Sequence, residues 1–251
     1  FRSFILLLAP FLASAQPAAE QRLFNQPTVI KDCRIRIDAD LFAATTTVEL
    51  ELFNPQSKEV EVLLPFSLQE GQLITGFYLE LNGQYREGSI EERWKANRAY
   101  STVVGKRIDP ALLQKAWNNQ YRLNVYPVPA QGSRKVKLII QQAMEDADGK
   151  IGYTLPLQFQ RKTGHTQIEL RAKRIAYPLI RDSGMLLHPS VQLTASGLQL
   201  EQDSLELRQP IAFHWKVPYE TVFQAPASHE QPFSYIKCFI KKENRYATEA
   251  S

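Results

Sequence analysis

From Val29 onward apolar and polar residues alternate with a period of two, and this restricts the chain more than any other feature. Side chains at i and i+2 share one face of a β-strand, so the alternation describes strands buried on one side and wet on the other. "TVELELF" sends Val48, Leu50 and Leu52 to one face and Glu49 and Glu51 to the other, and "EVEVLLPF" does the same with Val60, Val62 and Leu64. Asn54-Pro55 between them reads as a turn. "GFYLELNGQYREG" points Phe77, Leu79 and Leu81 inward and reverses at Asn82-Gly83, the pair best suited to the two positive φ values of a type I′ hairpin. "QYRLNVYPVP" and "SRKVKLIIQQ" read as further strands, separated by a turn over Pro129 to Gly132. Tyr121, Leu123, Val125, Val136, Leu138 and Ile140 face in. A hairpin turn at Asp146 to Gly149 closes this unit. "IGYTLPL", "TQIELRAKRI", "VQLTA", "DSLELR" and "PIAFHWKV" then continue the strand pattern over 145–240 as a second β layer or subdomain. With 251 residues, 44% of them hydrophobic, the chain can fill a core without staples.

One stretch breaks the period. In "REGSIEERWKANRAY", Ser89 followed by Glu92 has the spacing of a capping box and predicts a helix that begins there. Glu91, Lys95, Arg98 and Thr102 form a polar stripe, while Ile90, Trp94, Ala96, Ala99, Tyr100, Val103 and Val104 cover most of the opposite side. A face that broad needs a sheet to lie on, and Gly105 is placed to stop the helix. The expected fold is therefore mainly β with one packed helix.

The ends are read separately. "FRSFILLLAPFLASAQP" has Arg2, an apolar run from Phe4 to Leu12, and an A-x-A cleavage pattern ending at Ala15, the layout of a secretory signal peptide. Because the sequence opens without Met, residues 1–15 also read as the end of a longer transmembrane helix. Either reading places the rest outside the cytoplasm. The tail at 241–251 is polar. Cys33 and Cys238 are compatible with one long-range disulfide in an oxidising compartment, but the preferred reading is that both, in phase with apolar strand neighbours, are small core residues. The net charge of +4 is scattered singly along strands, apart from Lys241-Lys242, so no basic stripe points to nucleic acid.

The run from Val60 to Val104, followed by "RIDPALLQKAWNNQYRLNVYPVPAQGSRKVKLIIQQAM", resembles the VIT domain, the vault-protein and inter-alpha-trypsin-inhibitor module, over 28–144. The family pattern of a glycine and a helix with E-(K/R)-x-x-A-x-x-x-Y is matched by Gly88, Glu92, Arg93, Ala96 and Tyr100. Its aromatic strand and Pro-rich turn are matched by Tyr121, Pro127, Pro129 and Gly132. "DPALL", with Asp109, Pro110, Leu112 and Leu113, is similar to the form in bacterial envelope-associated members, including those linked to exosortase protein-sorting systems. Leu64-Pro65-Phe66-Ser67 departs from the usual F-P-L-P element, again as in a divergent bacterial branch. The resemblance implies an antiparallel β-sandwich-like module in which Trp94 and Tyr100 are core anchors or, in the other reading, hot spots of a partner surface.

Chemistry is sparse in the sequence. The D-x-S-x-S metal motif of von Willebrand factor A domains, which commonly follow VIT modules, is absent, since Asp182-Ser183 and Asp203-Ser204 lack the second serine. Asp146-Ala147-Asp148-Gly149 lacks the remaining ligands of a calcium loop. His165, His188, His214 and His229 have no zinc spacing, and no G-x-S-x-G elbow, P-loop or G-x-G-x-x-G occurs. The expectation is a protein without enzymatic activity or cofactor. It would be an interaction module of the periplasm, cell envelope or secreted space, with unknown protein partners and a membrane tether or secretion signal. A metal-dependent adhesin whose binding domain lies beyond Ser251 is the alternative, and a carbohydrate-binding β-sandwich with exposed aromatics and nearby carboxylates is a further one.

Overall fold

The computed structural model describes residues 28–92, 111–115, 119–147, 150–155, 159, 162–173, 175, 179–180, 190–194, 197–205, 211–216, 222–225 and 235–238. Alternation becomes strand throughout. In chain order the strands are β1 Val29–Ala39, β2 Ala43–Phe53, β3 Val60–Ser67, β4 Gln72–Leu81, β5 Gln84–Glu87, β6 Ser89–Glu92, β7 Ala111–Lys115, β8 Gln120–Val128 and β9 Ser133–Ala143. They continue as β10 Glu145–Ala147, β11 Lys150–Leu155, β12 Thr163–Ala172, β13 Leu179–Ile180, β14 Val191–Thr194, β15 Gly197–Asp203, β16 Ile211–Lys216, β17 Val222–Ala225 and β18 Tyr235–Cys238.

Eight strands form one large sheet in the order β14-β15-β12-β1-β2-β9-β4-β5, and four more form a smaller sheet β3-β8-β7-β6. A second four-stranded sheet, β10-β11-β16-β13, and a β17-β18 pair complete the described strands. Pairing is antiparallel except for β1 with β12 and β6 with β7, which run parallel. Val48, Leu50 and Leu52 of β2, Val136 and Leu138 of β9, Phe77 of β4 and Leu123 and Val125 of β8 are all buried in one continuous core. Burying one large aliphatic or aromatic side chain is worth about 1.5–3 kcal/mol, so this sandwich interior supplies most of the folding drive.

The turns explain how the sheets connect. The Asn82-Gly83 hairpin forms as expected, with φ of 54° and 79° and Leu81 opposite Gln84. Ala147 stands opposite Lys150, so β10 and β11 pair antiparallel, and residues 148 and 149 of the expected turn lie outside the described residues. Pro129 to Gly132 does not join a hairpin: it carries the chain from β8 in the smaller sheet to β9 in the large one. Asn54-Pro55 likewise takes β2 of the large sheet to β3 of the smaller.

Three expectations need correction. Ser89–Glu92 is strand β6, in parallel register with Leu112 to Lys115 of β7, and not the first turn of a helix. A capping box is a local preference of about 1 kcal/mol, and a run of sheet hydrogen bonds outweighs it. The remainder of the expected helix, with Arg93, Trp94, Ala96 and Tyr100, lies outside the described residues, as do Asp109, Pro110, residues 1–15 and the 241–251 tail. Second, no strand begins at the Asp203 end of "DSLELR": β15, Gly197–Asp203, ends there and the chain leaves it at Ser204 with φ of 57°, while residues 206–208 lie outside the described residues. Third, the bridge between Cys33 and Cys238 is not formed, because Cys33 is a free, buried thiol. Burial pushes that thiol up to about 12, with the Asp32 carboxylate adding to the shift.

Strands from beyond residue 144 are woven into the large sheet. β12 pairs with β1 over nine residues, and β15 and β14 extend the sheet from there.

Candidate interaction surface

The described motif residues have packing and turn roles. Gly88 links β5 to β6, its N–H donating to Phe77 O at 2.8 Å. A Cβ there would meet the Phe77 ring at 2.6 Å, so only glycine lets the chain pass this close. Leu112 and Leu113 are buried on opposite faces of β7. Tyr121 of β8 is buried and stacks on Phe66 of β3, with centroids 5.6 Å apart, and Lys115 Nζ lies 5.9 Å from its centroid. Pro127 follows a cis peptide bond after Tyr126. Gly132 N–H donates to Pro129 O at 3.1 Å and closes the sheet-to-sheet turn.

In sequence Asn54 reads only as a turn residue. It is fully buried and ties the two crossings together: Nδ2 donates to Lys58 O at 2.8 Å, Pro129 O at 3.0 Å and Val128 O at 3.2 Å. Its own N–H donates to Gly132 O at 2.9 Å, and its Oδ1 accepts from Gln56 N–H at 3.0 Å. The only sequence signal was an Asn before Pro, which does not reveal distant carbonyl partners.

The outer face of the large sheet is the polar half of the alternation. It carries ion pairs between Lys31 and Glu51 at 3.1 Å, Arg36 and Glu169 at 3.6 Å, and Lys135 and Glu80 at 3.7 Å. The Ser133 hydroxyl, donating to Glu51 at 2.8 Å, holds that carboxyl below its usual range, helped by Lys31 and Lys135. His165 of β12 contacts Asp203 at 2.8 Å and Glu201 at 3.1 Å, and these carboxylates raise its pKa, the Asp203 hydrogen bond most. Two shallow cavities open on this face, of about 530 Å³ and 360 Å³, and both are lined by Arg34 and Glu49. Tyr85 is 37% exposed and lines the smaller one. Burial and the carboxylates Glu49 and Glu80 push its hydroxyl up to about 12.

Among the described residues no group of three or more His, Cys, Asp or Glu is placed to hold a metal ion. The described chain is thus a β scaffold with a polar outer sheet face. Residues 30–140 match the family model of the Vault protein inter-alpha-trypsin (VIT) domain, which covers β1 to most of β9. A von Willebrand factor A domain-containing protein of Dictyostelium discoideum is 21% identical over 132 residues, 52% of this chain. The matched region is only 14% of that protein's length. Among solved structures, lpg2210 of Legionella pneumophila, provisionally described as a nutrient binding protein, aligns with a TM-score of 0.47 at 12% identity. That alignment covers 75% of this chain and 67% of the other. An M1 zinc metallopeptidase of Deinococcus radiodurans aligns with a TM-score of 0.40 at 8% identity, covering 84% and 46%.

Proposed function

We propose that this chain is a non-catalytic protein-interaction module that works outside the cytoplasm, in the cell envelope or secreted space, within a sorting or surface-assembly system. The single observation that carries this reading is the VIT match over 30–140, a module type that the sequence resemblance associates with interaction and not with chemistry. The signal-like opening at residues 1–15 supports export, and the "DPALL" form supports the bacterial envelope branch. A second reading, the support of a metal-dependent adhesin, is favoured by the von Willebrand factor A domain in the Dictyostelium relative.

The packed helix belongs to the same proposal, beginning after Glu92. β6 and β7 are parallel neighbours, and parallel neighbours need a crossover, usually helical, that passes over one face of their sheet. Residues 93–110 supply it in sequence, with Trp94 and Tyr100 on the apolar side. Leu63, Leu112 and Asn124 are buried on the face of the smaller sheet opposite Leu113 and Leu123, which is where such a helix would lie.

The test is crosslinking of the whole protein in its own cells, followed by mass spectrometry of what is attached. Links to another protein are expected, and a chain linked only to itself contradicts the reading. Fusing residues 1–27 to alkaline phosphatase, which is active only after export, tests the location: an active fusion is expected, and an inactive one contradicts it.

A further inference from the structure

The family segment alone would end its sheet at β1, and residues beyond 144 move that border outward. β12 pairs with β1, β15 with β12 and β14 with β15, so the large sheet is bordered by β14 on one side and β5 on the other. A border strand presents unpaired N–H and C=O groups to any strand that arrives, and charged side chains are the usual protection. β5, Gln84–Glu87, carries Arg86 and Glu87. β14, Val191–Thr194, carries no charge, and Gln192, Leu193 and Thr194 are all exposed. Among the described strands nothing pairs with its outer side.

A second observation, from the sequence, falls on the same place. Ser183 to Leu200 is a run of eighteen residues without Asp, Glu, Lys or Arg, the longest in a chain of which 22% is charged. Its described part includes all of β14 and the first four residues of β15.

The faces of β14 are set by its register, because directly opposite residues of an antiparallel pair share a face. Val191 stands opposite buried Leu200 and Leu193 opposite buried Leu198, so both point to the core side. Val191 packs against the core, whereas Leu193 is 42% exposed because the described sheet stops at this strand. Gln192 and Thr194 point to the wet side. From Ser190 to Thr194 the pattern is polar, apolar, polar, apolar, polar, and it reads the same in both directions about Gln192. A second copy laid antiparallel on a two-fold axis through Gln192 would set each Val191 against the other copy's Leu193 on the core side. On the wet side Gln192 would meet its own counterpart, and Ser190 would meet Thr194. A slip of one residue would set apolar against polar side chains.

We infer that two copies of this chain join edge to edge through β14, continuing the large sheet across a two-fold axis at Gln192. This goes beyond the interaction-module reading, and neither depends on the other. A four-residue edge is small beside the roughly 1,200–2,000 Å² that stable complexes bury, so the dimer forms and dissociates with concentration.

Sedimentation velocity of the whole protein at rising concentration should show a monomer–dimer equilibrium. Gln192→Lys and Gln192→Glu each put like charges opposite one another on the axis, and each should weaken the dimer about tenfold or more. Both should keep the native circular dichroism spectrum, because Gln192 is exposed. Mixed together, the two variants should pair with each other at least as well as the parent pairs with itself. Gln84→Lys, on the β5 border, should dimerise like the parent. A parent that stays monomeric at every concentration, a Gln192→Lys variant that dimerises like it, or a mixture that pairs no better than either variant alone would each overturn the inference. A strand of another protein at this edge would give a monomeric parent whose cellular crosslinks change in Gln192→Lys, which overturns the self-pairing and leaves the interaction reading standing. Absence of crosslinks to any other protein, with the dimer intact, sinks the interaction reading alone.

Discussion

The hydroxyls of Thr46 and Tyr153 meet at 2.6 Å, both residues buried, and join β2 of the large sheet to β11 of the four-stranded sheet that follows the family segment. Nearby, the buried amides of Gln72 and Gln142 meet across β4 and β9, and Gln72 Nε2 donates to Thr154 O at 2.9 Å. The segment matched by the family model is therefore fastened from below by residues the match does not include. Burial pushes the Tyr153 hydroxyl well up, so it stays protonated and available as a donor.

Tyr153→Phe removes one partner and leaves the Thr46 hydroxyl buried without it, an asymmetry that costs about 1–3 kcal/mol. The urea midpoint of the whole chain should fall accordingly at unchanged slope. A variant as stable as the parent would mean that the contact does not fasten the two sheets.

Asn54→Ala leaves three carbonyl oxygens, of Lys58, Val128 and Pro129, without their shared donor. A loss of about 3 kcal/mol is expected by urea unfolding. Hydrogen exchange should accelerate first at Gly132 and Gln131, whose turn Asn54 holds. Uniform exchange along β8 and β9 would contradict the role of a local tie.

Cys33 is buried with its thiol pushed up to about 12, so it should not react with a disulfide reagent in the native protein at neutral pH. After denaturation without reductant it should titrate fully. Absence of any thiol in the denatured chain would restore the bridge to Cys238.

His165 should titrate above the ordinary histidine value of 6.5, because Asp203 and Glu201 favour its charged form. With the folded pKa raised, the contribution of this contact is complete below 6.5 and fades as pH rises through the folded value. Asp203→Asn should bring the NMR-measured pKa down. An unchanged pKa in that variant would mean that Asp203 does not set it.

The core was legible because period two needs nothing beyond the chain itself: Val48, Leu50 and Leu52 are buried as the pattern requires. Pairing was not legible in the same way. The partnership of Ile35 with Ile168 on β12 spans about half of the chain, and nothing local in either strand names the other. Ser89 misled because a cap and a strand start use the same residue types, and only the register with Leu112 decides between them. Leu198 and Leu200 alternate as a strand requires, but alternation resumes at Leu205 and Leu207, so the pattern alone does not say that β15 ends at Asp203.

Where crosslinks fall on the chain tests the account most directly. Lys31, Lys135 and Lys173 have exposed side chains on or beside the outer face of the large sheet, whereas Lys58 sits at a sheet crossing and Lys216 ends β16. Links to a partner should concentrate on the first three. Links confined to Lys58 and Lys216, with the outer face untouched, would contradict it.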